Sequence, residues 1–285
     1  MASAEARRMR RRVANAAMLG LTAAATVLTV SVLFFILGYL VYQGGSSVSL
    51  SFFTELPKPV GEAGGGMANA IVGSGKLLLI ATLTGVPIGF LAGVYVAEFA
   101  SPVPAFVLRY ATDLLNGVPS IVVGIFVYAL IVLPMKQFST VAGGVALGII
   151  MIPIALRSTE EYLRSVPKSL REASLALGAS RATTIVRVIV PAASGGIVTA
   201  LMLNLARVAG ETAPLLFTAL NNRFWSRGWL DPTASLPVMI FTYAIAPYPD
   251  WHRQAWAAGL VLLGLVLVTN IGARWLLARR RRAGA

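Results

Sequence analysis

The sequence predicts an all-α integral membrane protein with six membrane-crossing helices. Three observations lead there. Of the 285 residues, 57% are hydrophobic and 12% are charged, against about 25% charged in ordinary soluble domains. Six apolar runs approach the roughly 17–25 residues a helix needs to cross a bilayer core. The basic residues flank those runs and form no basic face interleaved with aromatics, so the net charge of +13 reads as membrane topology and not as a nucleic-acid footprint.

Composition also removes whole classes of chemistry. With no cysteine there is no disulfide, thiolate metal site or cysteine nucleophile. The single histidine, His252, rules out a multi-histidine metal centre within the chain. A membrane-embedded hydrolase would need a convergent nucleophile and base, and His252 beside Trp251 in an outer segment offers neither. No cleavable signal peptide is expected, because the first apolar run is too long for one and no small-residue cleavage pattern follows.

Residues 1–17 form a basic arm, and 18–66 hold the first crossing helix (18–41) and a Gly/Ser/Pro-rich external connector. Residues 67–278 form the core, with crossings at 71–96, 118–134, 140–156, 189–208 and 255–277, and 279–285 form a basic tail. The third and fourth runs are short, with Lys136 between them. Pro87 lies inside the second run, where neighbouring helices or waters can satisfy the freed carbonyl. That run also carries Gly85, Gly89 and Gly93, a stripe that allows close helix approach. With a cytoplasmic N-terminus, the inner segments hold most of the 24 basic residues: Arg7 to Arg12, Arg109, Arg157, Arg164, Lys168, Arg171, Arg181, Arg187, Arg274 and Arg279 to Arg282. Both termini are thus expected on the cytoplasmic side.

Segment 209–254 is too apolar for an ordinary loop. Its stretch SLPVMIFTYAIAP (235–247) suits an interfacial or re-entrant segment, and Trp225, Trp229, Tyr243, Tyr248, Trp251 and Trp256 surround it. The alternative, a seventh short span, would put the arginine-rich tail outside.

One polar stretch, EASLALGASRATTIVRVIVP (172–191), stands out on the cytoplasmic side. Ser169 and Glu172 have capping-box spacing, Gly178 suits a left-handed helix end, and Ser180 can cap a second helix leading into the fifth crossing. Physical reasoning leaves two readings: an exposed docking knob, or an amphipathic helix lying on anionic lipid. The pattern EAS-x3-G-x9-V-x-V-P resembles the EAA loop of ABC-importer permeases, EAA-x3-G-x9-I-x-L-P. Glu172, Ala173, Gly178 and Pro191 match it, while Ser174, Val188 and Val190 are mild departures. The resemblance implies a type I ABC importer permease fold, with a cytoplasmic coupling helix at about 168–180 seated in a groove of a separate ATPase. It implies polar contacts for Glu172, close approach at Ala173 and the turn at Gly178, with Ser174 also among the ATPase-coupling residues. This chain offers no full phosphate-binding loop. GSGK at Lys76 is followed by Leu77 and lacks the GxxxxGK[ST] spacing, so ATP and magnesium are expected on the partner ATPase.

The substrate is addressed by NLARVAGETAPLLFTA (204–219). Asn204, Arg207 and Glu211 recur at three and four residues and so are expected on one helical face. Ionisable groups in a span are costly unless they pair or face a cavity. A structural ion pair fixing helix register is the competing reading. This segment and ATDLLNGVPSIVVGIFVY (111–128) resemble the PstA-type permeases of phosphate importers, a likeness running from about residue 68 onward. The resemblance implies that Arg207 and Glu211, with Asn204 and Thr212 beside them, line the phosphate passage. It also implies a second, PstC-like permease, a PstB-like ATPase dimer and an external PstS-like phosphate-binding protein. Sulfate, molybdate and metal-chelate permeases share the EAA loop, and only segment 204–219 discriminates against them.

Overall fold

The computed structural model describes residues 2–62 and 64–283, without the side chains of 2–6, 276–278 and 280–283. The end of the basic tail, with the side chains of Arg280, Arg281 and Arg282, therefore lies outside the described residues. Among the described residues there are helices and connectors and no strand.

Helix α1 (Ala2–Gly44) joins the basic arm to the first apolar run, and its described side chains are exposed along nearly its whole length. It meets the rest only near its end, where Tyr39 stands edge-on to Trp256 at 5.3 Å. A short α2 (Leu50–Thr54) buries Phe52 and leads to α3 (Ala68–Glu98). The main packing partner of α3 is α6 (Thr140–Ser165). The glycine stripe explains how closely they approach. A Cβ on Gly85 would lie 2.6 Å from Gly148 O, and one on Gly89 would lie 2.5 Å from Ala155 Cβ. Gly89→Leu is expected to push the helices apart, at a cost of about 1–3 kcal/mol or more. The check is a lowered melting midpoint in detergent beside Gly20→Leu, whose site on α1 has nothing within 4 Å. Equal midpoints would remove the stripe's packing role.

The third crossing departs from expectation. It is a broken pair, α4 (Pro102–Gly117) and α5 (Ser120–Met135), bent by 99°. Pro119 explains the break, since the residue before a proline is pushed out of helical geometry. α4 is amphipathic and was not expected from the sequence. A π-helical turn at Tyr128–Val132 lies within α5, and Lys136 closes it in a left-handed conformation (φ 55°). Ser139 then caps α6 by accepting from Ala142 N, so the third and fourth runs are separate helices.

α7 (Lys168–Ala176) leads to α8 (Arg181–Ala209), which carries its own π-helical turn at Ile185–Ile189. The chain then forms α9 (Ala213–Thr218) and α10 (Leu236–Ala244), and ends in α11 (Pro249–Ala283). At nine residues α10 is far too short to span. Leu236, Met239 and Tyr243 are fully buried against Phe52, Trp251 and Ala258, so it is a re-entrant helix packed in protein.

Beside a small cluster of Val127, Val132, Ala142 and Ala146 where α5 meets α6, the core runs in three tiers along the bundle. The tier farthest from α7 holds Phe52, Met67, Leu236 and Tyr243. The middle tier holds Leu77, Ala81, Met151, Val208 and Leu215. The tier nearest α7 holds Ala155, Leu163, Val166, Ile189 and Ile197.

Candidate functional site

Two features stand apart from the apolar bundle, a polar cleft at mid-depth and a polar elbow at one end. The cleft arises because α8 stops early. Gly210 caps its end, with Gly210 N donating to Arg207 O at 3.2 Å and Glu211 N to Val208 O at 3.1 Å. Thr212 is the N-cap of α9, and Pro214 occupies the second position, where its missing N–H costs nothing. The chain then continues away from the elbow, and Ser139 N donates to Thr218 O at 3.0 Å, at the start of α6. Asn204 Nδ2 donates to Met151 O at 3.0 Å, which places this level about 17 Å along α6 from Thr140 at 1.5 Å per residue. α8 thus ends near the middle of a bilayer-sized slab.

Arg207 and Glu211 meet at that level in a cleft of about 270 Å³. Asn116, Gly117 and Ser120 from the break between α4 and α5 line it on one side, and Ile149, Ile150 and Ile154 of α6 on another. The start of α5 brings unbonded backbone N–H groups and the positive end of a helix dipole to the same place. Among the described residues, Arg207 and Glu211 pair neither with each other nor with any other charged group. The register-fixing ion pair is therefore not formed. A guanidinium, a helix N-terminus and one unpaired carboxylate around open space suit an oxyanion that enters and leaves.

The expectation of one shared helical face needs correcting. Helix geometry ends at Ala209, so Glu211 reaches the cleft from the turn beyond α8. Asn204 faces inward, buried and bonded to Met151, and does not line the cleft. Nor does Thr212, which stands between the two helices. Sequence reasoning missed Asn116 and Ser120, which come from a helix break it did not place.

It also treated Arg109, Arg157 and Arg164 only as topology signals. They converge on Glu160, whose side chain is 4% exposed, at 2.7, 3.7 and 3.2 Å respectively. Arg157 also grips Asp113. The i, i+3 and i, i+4 spacing of Arg157, Glu160 and Arg164 was a legible signal for part of this network.

At the elbow, α6 ends before Val166-Pro167, and α7 begins directly after the proline. Pro167 is the N-cap and no side-chain cap bond forms. The expected Ser169–Glu172 capping box is therefore absent, because Pro167 starts the helix two residues ahead of Ser169 and leaves that serine inside the first turn. The helix end follows expectation. Gly178 has φ +83°, Gly178 N donates to Leu175 O and Ala179 N to Ser174 O, a Schellman turn. Ser180 caps the next helix by accepting from Thr183 N.

Glu172 and Ala173 are exposed, and Leu177 at the tip is 90% exposed. Ser174, the departure from alanine in the motif, turns inward, and its hydroxyl pairs with that of Thr184 at 2.9 Å. Arg171 pairs with the buried carboxylate of Glu98 at the end of α3 and donates to Leu163 O at 3.0 Å. Arg181 donates to Glu98 O and lies 5.2 Å from the Phe99 ring. The elbow is thus fastened to α3, α6 and α8.

The phosphate-loop fragment has a structural explanation. Lys76 Nζ donates to Ser226 O at 3.1 Å and lies 5.7 Å from the Trp229 ring, while Ser74 Oγ accepts from Leu236 N. Both residues hold the 209–254 segment in place, on the side opposite the elbow.

Comparison with known proteins adds to this geometry. Residues 85–282 match the family described as binding-protein-dependent transport system inner membrane component. The chain is 44% identical over 265 residues to the phosphate transport system permease protein PstA of Yersinia pestis, covering 90% of each. It is 41% identical over 274 residues to that of Xylella fastidiosa, covering 95% of each. A probable PstA of Methanocaldococcus jannaschii is 37% identical over 255 residues. Among solved structures, an inward-facing MetNI methionine ABC transporter aligns with a TM-score of 0.59 at 18% identity, covering 74% of this chain and 92% of that one. A bacterial ABC transporter for alginate import aligns at 0.53 and 15% identity, covering 89% and 95%. These structural likenesses establish the fold.

Proposed function

Because the chain belongs to the PstA family of phosphate transport permeases, within the binding-protein-dependent transport system inner membrane components, we propose that its cleft is half of a phosphate passage and its elbow the joint to an ATPase. It is a multi-pass membrane permease of the type I ABC importer fold and a transport subunit, not an enzyme. The single observation that carries the cleft assignment is the pairing-free Arg207 facing Glu211 at mid-depth. Arginine's fixed fork binds two oxygens of an oxyanion at once. An unopposed cation would hold the anion too firmly to release it, and Glu211 weakens that hold.

Arg207 is exposed in this chain alone, so the facing wall belongs to a second, PstC-like permease. A PstB-like ATPase dimer, which binds ATP and magnesium, seats the α7 elbow, and a PstS-like protein delivers phosphate from outside. Both termini lie in the cytoplasm, with Arg7 to Arg12 and Arg279 marking that side. Residues 67–278 form the permease core, preceded by the basic arm 1–17 and the first crossing with its connector 18–66, and followed by the tail 279–285.

Coupling then follows from the fastenings. Closure of the ATPase dimer moves α7. Through Glu98, Leu163 and Thr184 that motion reaches α3, α6 and α8, two of which wall the cleft. The test is ATPase activity of the reconstituted four-component assembly. Phosphate-loaded binding protein is expected to stimulate it severalfold, and sulfate in place of phosphate is not. Equal stimulation by sulfate would reassign the substrate within the oxyanion class.

A further inference from the structure

One helical turn from the cleft lies a guanidinium that the passage has not used. Ile154 lines the cleft on α6 and Arg157 follows it by three residues. Asn116 lines it on α4 and Asp113 precedes it by three. Arg157 and Asp113 meet there. Arg157 Nη2 lies 2.6 Å from both carboxylate oxygens of Asp113, and Nε lies 3.3 Å from Oδ1. We propose that Arg157 is a second oxyanion contact on the cytoplasmic side of the cleft, held by the Asp113 carboxylate until the travelling anion displaces it. The proposal rests on reading the cleft as a phosphate passage.

Four observations favour a displaceable pair over a fixed brace. The brace between α4 and α6 is already present in the buried Glu160, held closely by Arg109 and Arg164 while Arg157 Nη1 stands farther off at 3.7 Å. Asp113 is the exposed member, at 59% of its side chain against 4% for Glu160. The cluster holds three guanidiniums against two carboxylates, so it has one positive charge left for an arriving anion. A carboxylate gripped by an arginine fork also presents two oxygens in the geometry a phosphate would use.

The experiment is equilibrium binding of labelled inorganic phosphate to the solubilised complex of both permease subunits and the ATPase, with assembly checked by gel filtration. Asp113→Asn frees the guanidinium and is expected to tighten binding about threefold or more. Arg157→Gln removes the contact and is expected to weaken binding about tenfold, with Arg157→Lys in between because ammonium keeps the charge and loses the fork. A purely structural ion pair moves Asp113→Asn and Arg157→Gln in the same direction, and that result, or no change in either, overturns the proposal. Should Arg157→Gln fail to assemble, the comparison of Asp113→Asn with Arg157→Lys decides by the same opposition of sign. Arg207→Gln separates the two levels of inference. Weakened binding there with Arg157→Gln unchanged rejects the second contact alone, whereas wild-type complex that binds no phosphate rejects the transport reading.

Discussion

Arg207→Ala is expected to reduce phosphate uptake by the assembled importer about a hundredfold while the chain stays folded and in its complex. Both halves of that expectation come from the same geometry. Arg207 forms no ion pair among the described residues and is exposed within this chain, so its removal leaves no buried partner orphaned. Substitutions of that kind usually change stability by no more than about 0.5 kcal/mol. In the proposed passage its contacts are instead kept for the anion. Hydrogen bonds to charged groups are worth roughly 1.5–3 kcal/mol, and two of them from one fork reach about 3 kcal/mol, or a factor near one hundred. Arg207→Lys should fall between, keeping the charge without the fork. Glu211→Gln should act in the opposite sense on retention, since it removes the repulsion that helps the anion leave. Labelled phosphate uptake into vesicles, normalised to the amount of chain recovered, is the measurement. Uptake within about threefold of wild type would dismiss Arg207 from the pathway.

The parts of this structure that sequence periodicity revealed share one trait: they are long, apolar and locally determined. The crossings at α3, α6, α8 and α11 follow from length and hydropathy alone. The Gly178 turn and the Ser180 cap were legible because each is decided within a few residues by backbone geometry. What stayed hidden was decided by tertiary contact. α4 contains Arg109 and Asp113, and its existence as a helix makes sense only beside Glu160 and Arg157 of α6. Glu98 looks like an ordinary charge at a helix end until Arg171 and Arg181, far along the chain, are seen to close on it. In the cleft, Arg207 and Glu211 were visible as costly charges near an apolar run, but their helix ends between them, at Gly210. Asn204 shares the spacing and not the role, because a three-residue offset on a helix places a side chain and does not say which neighbour it meets.

Leu177→Asp is expected to release the ATPase from the complex while leaving the cleft intact. Leu177 projects from the tip of α7 at 90% exposure, which is far more than an apolar side chain needs if the elbow merely lies in its own fold. Its neighbours argue against a lipid seat. Glu172 and Ala173 are exposed on the same short helix, an acidic group and a small one that suit a shaped protein groove better than an anionic lipid surface. Burying a leucine in a partner's groove is worth about 1.5–3 kcal/mol, and an aspartate adds the cost of an unpaired charge, so affinity should drop at least about tenfold to a hundredfold. Glu172→Lys should weaken the same joint by reversing its charge. The contrast with the inward side of the elbow carries the argument further. Arg171 and Ser174 fasten α7 to α3 and α8, and Arg181 ties the start of α8 to α3, so Arg171→Ala should keep the ATPase bound yet loosen the link that carries its motion. Co-purification and phosphate-stimulated ATPase activity measured side by side distinguish the two faces: the outer face should lose both, the inner face only the second. If Leu177→Asp co-purifies normally, the exposed leucine is not part of the joint, and the surface by which this permease is driven lies elsewhere on the elbow.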